Sequence, residues 1–219
     1  MCGRYYLTTP PPALMERFQL ERVDLEWTPS TNIAPTHNAP VILNTMPKVL
    51  TSARWGLVPA WADDLRVGSR MFNARAESVA QKPAFRRAFR SRRCLVPANG
   101  FYEWRTLEDG RKAPMQYTLA DGGIFAFAGL WEVWQPPGDE NPLQTFTVIT
   151  CPANELVAQV HDRMPVILFP GDEHAWLDTA GVPPEEAATF LRPYPPELMT
   201  VHQLAPGSLA LPRSPGARL

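Results

Sequence analysis

The chain has 219 residues, 45% of them hydrophobic and 10% aromatic, and its 21 Lys+Arg and 22 Asp+Glu leave a net charge of −1. A chain of that length and apolarity buries one sizeable core, or at most two small ones, and no apolar run reaches the roughly 18–20 residues that span a bilayer. Three Cys, an odd number without a CxxC pair, argue against a disulfide framework or a zinc ribbon; with no signal-peptide pattern at the start, they point to a cytoplasmic protein in a reducing compartment.

Residues 10–20 open with prolines suited to a helix start and space Leu14, Met15 and Phe18 at helical intervals. A loop from Pro29 to Pro40 carries Asn32 and Pro35. Val41–Leu43 and Val49–Leu50 then read as a hairpin across the turn-like Asn44–Lys48 segment, and Trp55-Gly56-Leu57-Val58-Pro59-Ala60-Trp61 as a strand ending in an aromatic loop. A helix is expected from about Pro83 to Arg93, with Phe85 and Phe89 on one face and Arg86, Arg87 and Arg90 elsewhere. Strands follow at Cys94–Pro97, Gly100–Trp104, Met115–Leu119, Ile124–Trp134 and Thr145–Cys151, then a short helix at Asn154–Val160. After it come a loop, His161–Pro165, a strand at Val166–Phe169, and short helices at Asp172–Asp178 and Pro184–Leu191. No βαβ rhythm and no repeat occur. The expected fold is α+β: a single domain over 1–204, built on a curved, largely antiparallel, barrel-like sheet with peripheral short helices, and a flexible tail over 205–219.

Charge is unevenly spread. Residues 1–105 carry 15 Lys+Arg against 8 Asp+Glu, whereas 106–219 carry 6 against 14. Within 66–93 lie Arg66, Arg70, Arg75, Lys82, Arg86, Arg87, Arg90, Arg92 and Arg93, opposed by Glu77 alone. Arg dominates that run, and its planar fork suits phosphate oxygens; a polyanion-binding face stands there as an alternative to an ordinary solvated surface.

The start, Met1-Cys2-Gly3-Arg4-Tyr5, offers a specific chemistry. A small residue after the initiator Met lets that Met be removed, leaving Cys2 with a thiol and a free α-amine on adjacent carbons. Such a 1,2-aminothiol condenses with an aldehyde to a Schiff base, and the sulfur closes on the same carbon to give a thiazolidine. By position alone a Cys here is more often a small buried hydrophobe. Glu103, in Gly100-Phe101-Tyr102-Glu103-Trp104, sits among large aromatics that desolvate a carboxylate and fit it for proton transfer near neutrality. Taken alone, His161 reads as a surface residue and Asn73 as a turn residue. Trp55 and Trp61 read as core or as stacking platforms for bases. Phosphate-loop glycines, HExxH and GxSxG are absent, so no cofactor and no metal are expected.

Seven segments occur in order: M-C-G-R-Y, N-I-A-P, W-G-L-V-P-x-W, F-N-A-R-A-E, R-R-C-L-V-P-A-N-G-F-Y-E-W, A-G-L-W and H-D-R-M-P. Together they closely resemble the SOS-response-associated peptidase (SRAP) family from residue 1 to about 170. The last 50 residues add little, and Ser78 stands where that family more often has Thr.

The resemblance implies binding of single-stranded DNA and a covalent thiazolidine link between the N-terminal Cys and the ring-opened aldehyde of an abasic site, with self-removal of the initiator Met. Carried over residue by residue, Cys2 is the nucleophile, with Asn73, Glu103 and His161 completing the site. Arg4, Arg75 and Arg163 are expected on phosphates, and Trp55 with Asn32 and Pro35 of the N-I-A-P loop beside the bases. The implied partner is single-stranded DNA carrying abasic sites, bound by a monomer associated with the nucleoid. Two rival readings remain: an N-terminal-nucleophile amidohydrolase, which would act on glutamine or another amide, and a non-covalent reader of modified DNA with an incidental Cys2. An ordinary peptidase acting on other proteins ranks below both, since no substrate cleft is legible.

Overall fold

A computed structural model describes residues 2–136, 138 and 140–209. Its strands are β1 (Tyr5–Leu7), β2 (Arg22–Val23), β3 (Ser30–Ile33), β4 (Asn38–Leu43), β5 (Val49–Trp55), β6 (Asn73–Arg75), β7 (Arg93–Ala98), β8 (Gly100–Thr106), β9 (Lys112–Leu119), β10 (Phe125–Trp134), β11 (Leu143–Pro152), β12 (Arg163–Pro165) and β13 (Met199–Gln203). The helices are short: α1 (Pro11–Phe18), α2 (Arg86–Ser91), α3 (Glu155–Ala158), α4 (Pro170–Leu177) and α5 (Pro184–Ala187), with 3₁₀ turns at Leu65–Arg70, Ala188–Phe190 and Pro196–Leu198.

β10, F-A-F-A-G-L-W-E-V-W, is buried along nearly its whole length, the pattern of a strand covered on both faces. It pairs with β7 on one side and β11 on the other; β7 continues to β4 and β4 to β5. β5 then returns to β11 through Arg54–Thr145 and Trp55–Phe146, so five strands close a barrel-like ring. A second sheet runs β13-β9-β8-β1-β3. Most pairings are antiparallel, the exceptions being β2–β5, β5–β11 and β6–β11. The α+β, largely antiparallel expectation holds.

One hydrophobic cluster joins the two sheets. Tyr5 of β1 meets Trp55 at 5.2 Å and Phe127 at 5.7 Å, ring centroid to centroid. Trp55 is 0% exposed, stacks on Phe146 at 6.2 Å, and donates its indole N–H to the Phe72 carbonyl at 2.8 Å. Packed on its faces and satisfied at its polar atom, it is a core residue whose truncation would cost about 3–5 kcal/mol. The base contact expected of Trp55 is therefore corrected: a nucleobase cannot reach it. Gly56 follows at φ +128°, and a Cβ there would lie 2.6 Å from the Gly68 carbonyl oxygen, so only glycine lets the chain leave β5 and pack the 3₁₀ turn at Leu65–Arg70 against it.

The helix expected over 83–93 is confined to Arg86–Ser91, with tight turns before it. The expected loop His161–Pro165 contains β12, which pairs with the end of β11, while the strand expected at Val166–Phe169 makes only an isolated bridge, Phe127 to Ile167. β1 and β13, in stretches to which the sequence reading assigns no element, complete the second sheet. Of the tail, 205–209 forms turns, and 210–219 lies outside the described residues.

Candidate active site at the amino terminus

β1 carries the start of the chain between two strands. Tyr5 pairs with Phe101 and Tyr6 with Gly100, and the Tyr102 amide donates to the Arg4 carbonyl at 3.0 Å. Continuing that register sets Gly3 across from Glu103, so β8 presents its carboxylate residue beside the first residues of the chain. Cys2 is 1% exposed, and its thiol donates a long contact, 3.7 Å, to the Arg4 carbonyl. From the opposite side β6 runs parallel to β11, with Asn73 opposite Val148. The Asn73 Nδ2–H donates to the Cys2 carbonyl at 2.8 Å, while Oδ1 of the same amide is buried with no hydrogen-bond partner among the described residues. Buried polar atoms are seldom left so, and this one is an acceptor held ready beside Cys2.

Electrostatics tie the remaining groups to the same place. Burial raises the Glu103 carboxyl from its ordinary range to about 7, with the positive amino terminus opposing and Asp162 adding to the rise. Burial also pushes the Cys2 thiol far up, and the nearby Glu103 charge adds to it, against the pull of the Arg4 carbonyl contact and the amino terminus. His161, in the turn after α3, is lowered by burial and then by the amino-terminal charge, with Asp162 opposing. Its Nδ1 accepts the Arg163 amide N–H at 3.0 Å and lies 3.1 Å from Asp162 Oδ1, so the ring is oriented through Nδ1 by its own turn. Glu103, Cys2 and His161 thus respond to one charge, that of the amino terminus. The set comprises a neutral thiol, a carboxyl that exchanges its proton near neutrality, a neutral imidazole and an amide.

Of the residues expected on DNA, Arg75 is exposed at the end of β6, and no ion pair engages it among the described residues. The Arg163 fork is engaged by Glu77 at 2.5 and 3.0 Å and by the Thr150 carbonyl at 2.6 Å. Arg4 is buried, with Nη1 donating to Asn32 Oδ1 at 2.9 Å, and Asn32 and Pro35 are half-buried. Glu77, the partner of Arg163, is a residue that sequence reasoning passed over. Its signal was present, since it is the lone acid of the arginine run and ends F-N-A-R-A-E. Trp61, not Trp55, is the solvent-facing indole of its segment, at 64% exposure. A cleft of ≈ 880 Å³ lined by Asp64, Arg66, Arg70, Met71 and Phe72 opens next in sequence to Asn73. No group of three or more His, Cys, Asp or Glu that could hold a metal occurs among the described residues, and no helix among them is long and apolar enough to cross a membrane.

The family model of SOS response associated peptidase (SRAP) matches residues 1–207. The chain is 41% identical over 208 residues, 94% of its length and 92% of the relative's, to Abasic site processing protein YoqW of Bacillus subtilis (strain 168). It is 30% identical over 211 residues to Abasic site processing protein HMCES of Xenopus tropicalis, covering 82% of this chain and 62% of that one. A solved structure of a protein from Bacteroides thetaiotaomicron superposes with a TM-score of 0.85 at 26% identity, over 93% of this chain and 92% of the other.

Proposed function

The chain belongs to the SOS response associated peptidase (SRAP) family, and from that premise we propose that it processes abasic sites in single-stranded DNA by linking them covalently to Cys2. The observation that supports this most is Cys2 held by its carbonyl on Asn73, next to a carboxyl whose pKa is raised to about 7. Removal of Met1, by hydrolysis of the Met1–Cys2 peptide bond, exposes the amine. The His161 Nε2–H donates to the ring oxygen of the abasic deoxyribose as the sugar opens to its C1′ aldehyde. The Cys2 amine adds to C1′, and Glu103 in its acid form protonates the departing hydroxyl, which leaves as water. The Cys2 sulfur then adds to the iminium carbon as the Glu103 carboxylate takes the thiol proton, which restores the acid form of Glu103 and leaves the ring nitrogen neutral. One aldehyde and one aminothiol become one thiazolidine and one water. The thiol needs no prior ionisation, because negative charge develops on sulfur only as the C–S bond forms and the carboxylate takes the proton. Holding amine, thiol and aldehyde together is worth an effective molarity of roughly 10⁵ M or more.

Asn73 Oδ1 accepts from the amine or from a sugar hydroxyl, which satisfies the orphaned acceptor. Arg75 takes a phosphate, and Trp61 stacks on a base flanking the lesion. Trp61→Ala is expected to weaken binding to a single strand by about 1–3 kcal/mol without changing its salt dependence, while Arg75→Ala shallows the log–log salt slope by about 0.7. Binding titrations across salt concentrations check both, and an unchanged slope for Arg75→Ala removes that residue from the DNA contacts. The proposal as a whole is tested by mixing the protein with a single strand carrying one abasic site and running a denaturing gel. A shifted band is expected for the abasic strand and none for the intact one; equal behaviour of the two would refute the proposal.

A further inference from the structure

The arginine run is only partly used by the site. Arg92 pairs with Glu132, and Arg93 is fully buried, with Nε donating to the Phe89 carbonyl at 2.9 Å and Nη2 to the Val182 carbonyl at 3.1 Å. Arg86, Arg87 and Arg90 of α2, and Lys82 just before it, are all exposed, and none has an ion-pair partner among the described residues. From Ser78 to Ser91 the chain holds no acidic residue.

This arrangement runs against the helix's own electrostatics. Arg86 and Arg87 occupy the first turn, where the macrodipole disfavours cations; the turn has no acid, and the cap residue Phe85 makes no side-chain hydrogen bond. Arg86 and Arg90 are also a like-charge pair at i, i+4. Packing holds α2 regardless: Phe85, Ala88 and Phe89 are buried, and the Phe89 ring lies 6.0 Å from Trp176. A surface that keeps local electrostatic conflict is a place to look for function.

We propose that Arg86, Arg87 and Arg90, with Lys82, form a second DNA contact that grips the sugar–phosphate backbone of the lesion-bearing strand several nucleotides from Cys2. This rests on the abasic-DNA reading. The connection from the site is short and hydrogen-bonded turn by turn. Ser78 N–H donates to the Arg75 carbonyl, Gln81 and Lys82 N–H to that of Ser78, and Phe85 and Arg86 N–H to that of Lys82. Eleven residues separate Arg86 from Arg75, at most ~40 Å even for a fully extended chain, so one strand of several nucleotides spans both. Arg rather than Lys dominates, as suits phosphate oxygens gripped by a planar fork.

The test compares the parent with the triple variant Arg86→Ala/Arg87→Ala/Arg90→Ala on two single strands of about 5 and about 20 nucleotides, each carrying a non-reactive tetrahydrofuran abasic analogue. For the long strand the affinity is expected to fall about tenfold or more, and the salt slope to become shallower by about 2, the sum for three phosphate contacts. The short strand should bind as it does to the parent, and Tm should stay level or rise, because like charges have been removed. The Arg→Lys triple variant should retain the slope. An unchanged long-strand slope, an equal loss on both strands, or a fall in Tm accompanying the loss would overturn the second contact. Failure of the abasic-DNA reading is seen separately: the parent would then form no adduct with a reactive abasic strand of either length.

Discussion

Cys2→Ala is expected to form no denaturant-resistant adduct with abasic single-stranded DNA, while still binding the strand within a few-fold of the parent. The substitution leaves the α-amine, so a Schiff base still forms, but without sulfur it cannot close and hydrolyses back. Borohydride should therefore trap Cys2→Ala on the abasic strand, whereas the parent adduct survives denaturation without reductant. Adding one residue that cannot be removed ahead of Cys2 should abolish both outcomes, because it converts the amine to an amide. An adduct from Cys2→Ala that resists denaturation without reductant would place the link on another residue.

Glu103→Gln should slow adduct formation by about 10²–10⁴, the usual worth of a positioned acid–base group. It should also stabilise the protein at neutral and higher pH. The carboxyl is raised from 4.5 to about 7 in the fold. Its folded-state value lies above its unfolded one, so its contribution to stability is complete below about pH 4.5 and is lost as pH rises through about 7. At pH 8 the parent carries a buried carboxylate at a cost on the order of 2–3 kcal/mol, which the amide avoids. Melting temperatures measured from pH 4 to 8 should therefore fall more for the parent than for Glu103→Gln. Parallel curves would show that Glu103 is not desolvated in the fold, and an undiminished rate for Glu103→Gln would remove it from the chemistry. A slower, more stable variant is the pattern of a group placed for function at a cost to the fold.

The parts of the structure legible in the sequence are those whose pattern is local. The apolar runs at Cys94–Pro97, Ile124–Trp134 and Thr145–Cys151 match β7, β10 and β11 closely, and Val41–Leu50 forms the expected hairpin. Asn154 caps α3 as its residue type predicts, accepting the Val157 N–H at 3.0 Å. What escaped depends on distant partners. β1 is three residues long and becomes a strand only because Phe101 and Ile33, far along the chain, pair with it. β13 is held by β9 about 80 residues away. At the site, Glu103 was legible because its aromatic neighbours are adjacent in sequence. Asn73 and His161 were not, since each is brought to the amino terminus by pairing with β11, directly or through β12. The same limit misplaced Trp55. The spacing of W-G-L-V-P-A-W does not say which indole faces inward, and the deciding contacts are with Tyr5, Phe72 and Phe146. Arg163 reads as a free cation until Glu77, 86 residues earlier, is found in its fork.

The most direct test is intact mass measurement of the parent protein after reaction with a single strand bearing one abasic site, followed by peptide mapping of the adduct. The expected mass is that of the chain without Met1 plus the oligonucleotide less one water, with the modification on the peptide that begins at Cys2. An adduct that retains Met1, or one that maps to any other residue, would contradict the proposed chemistry.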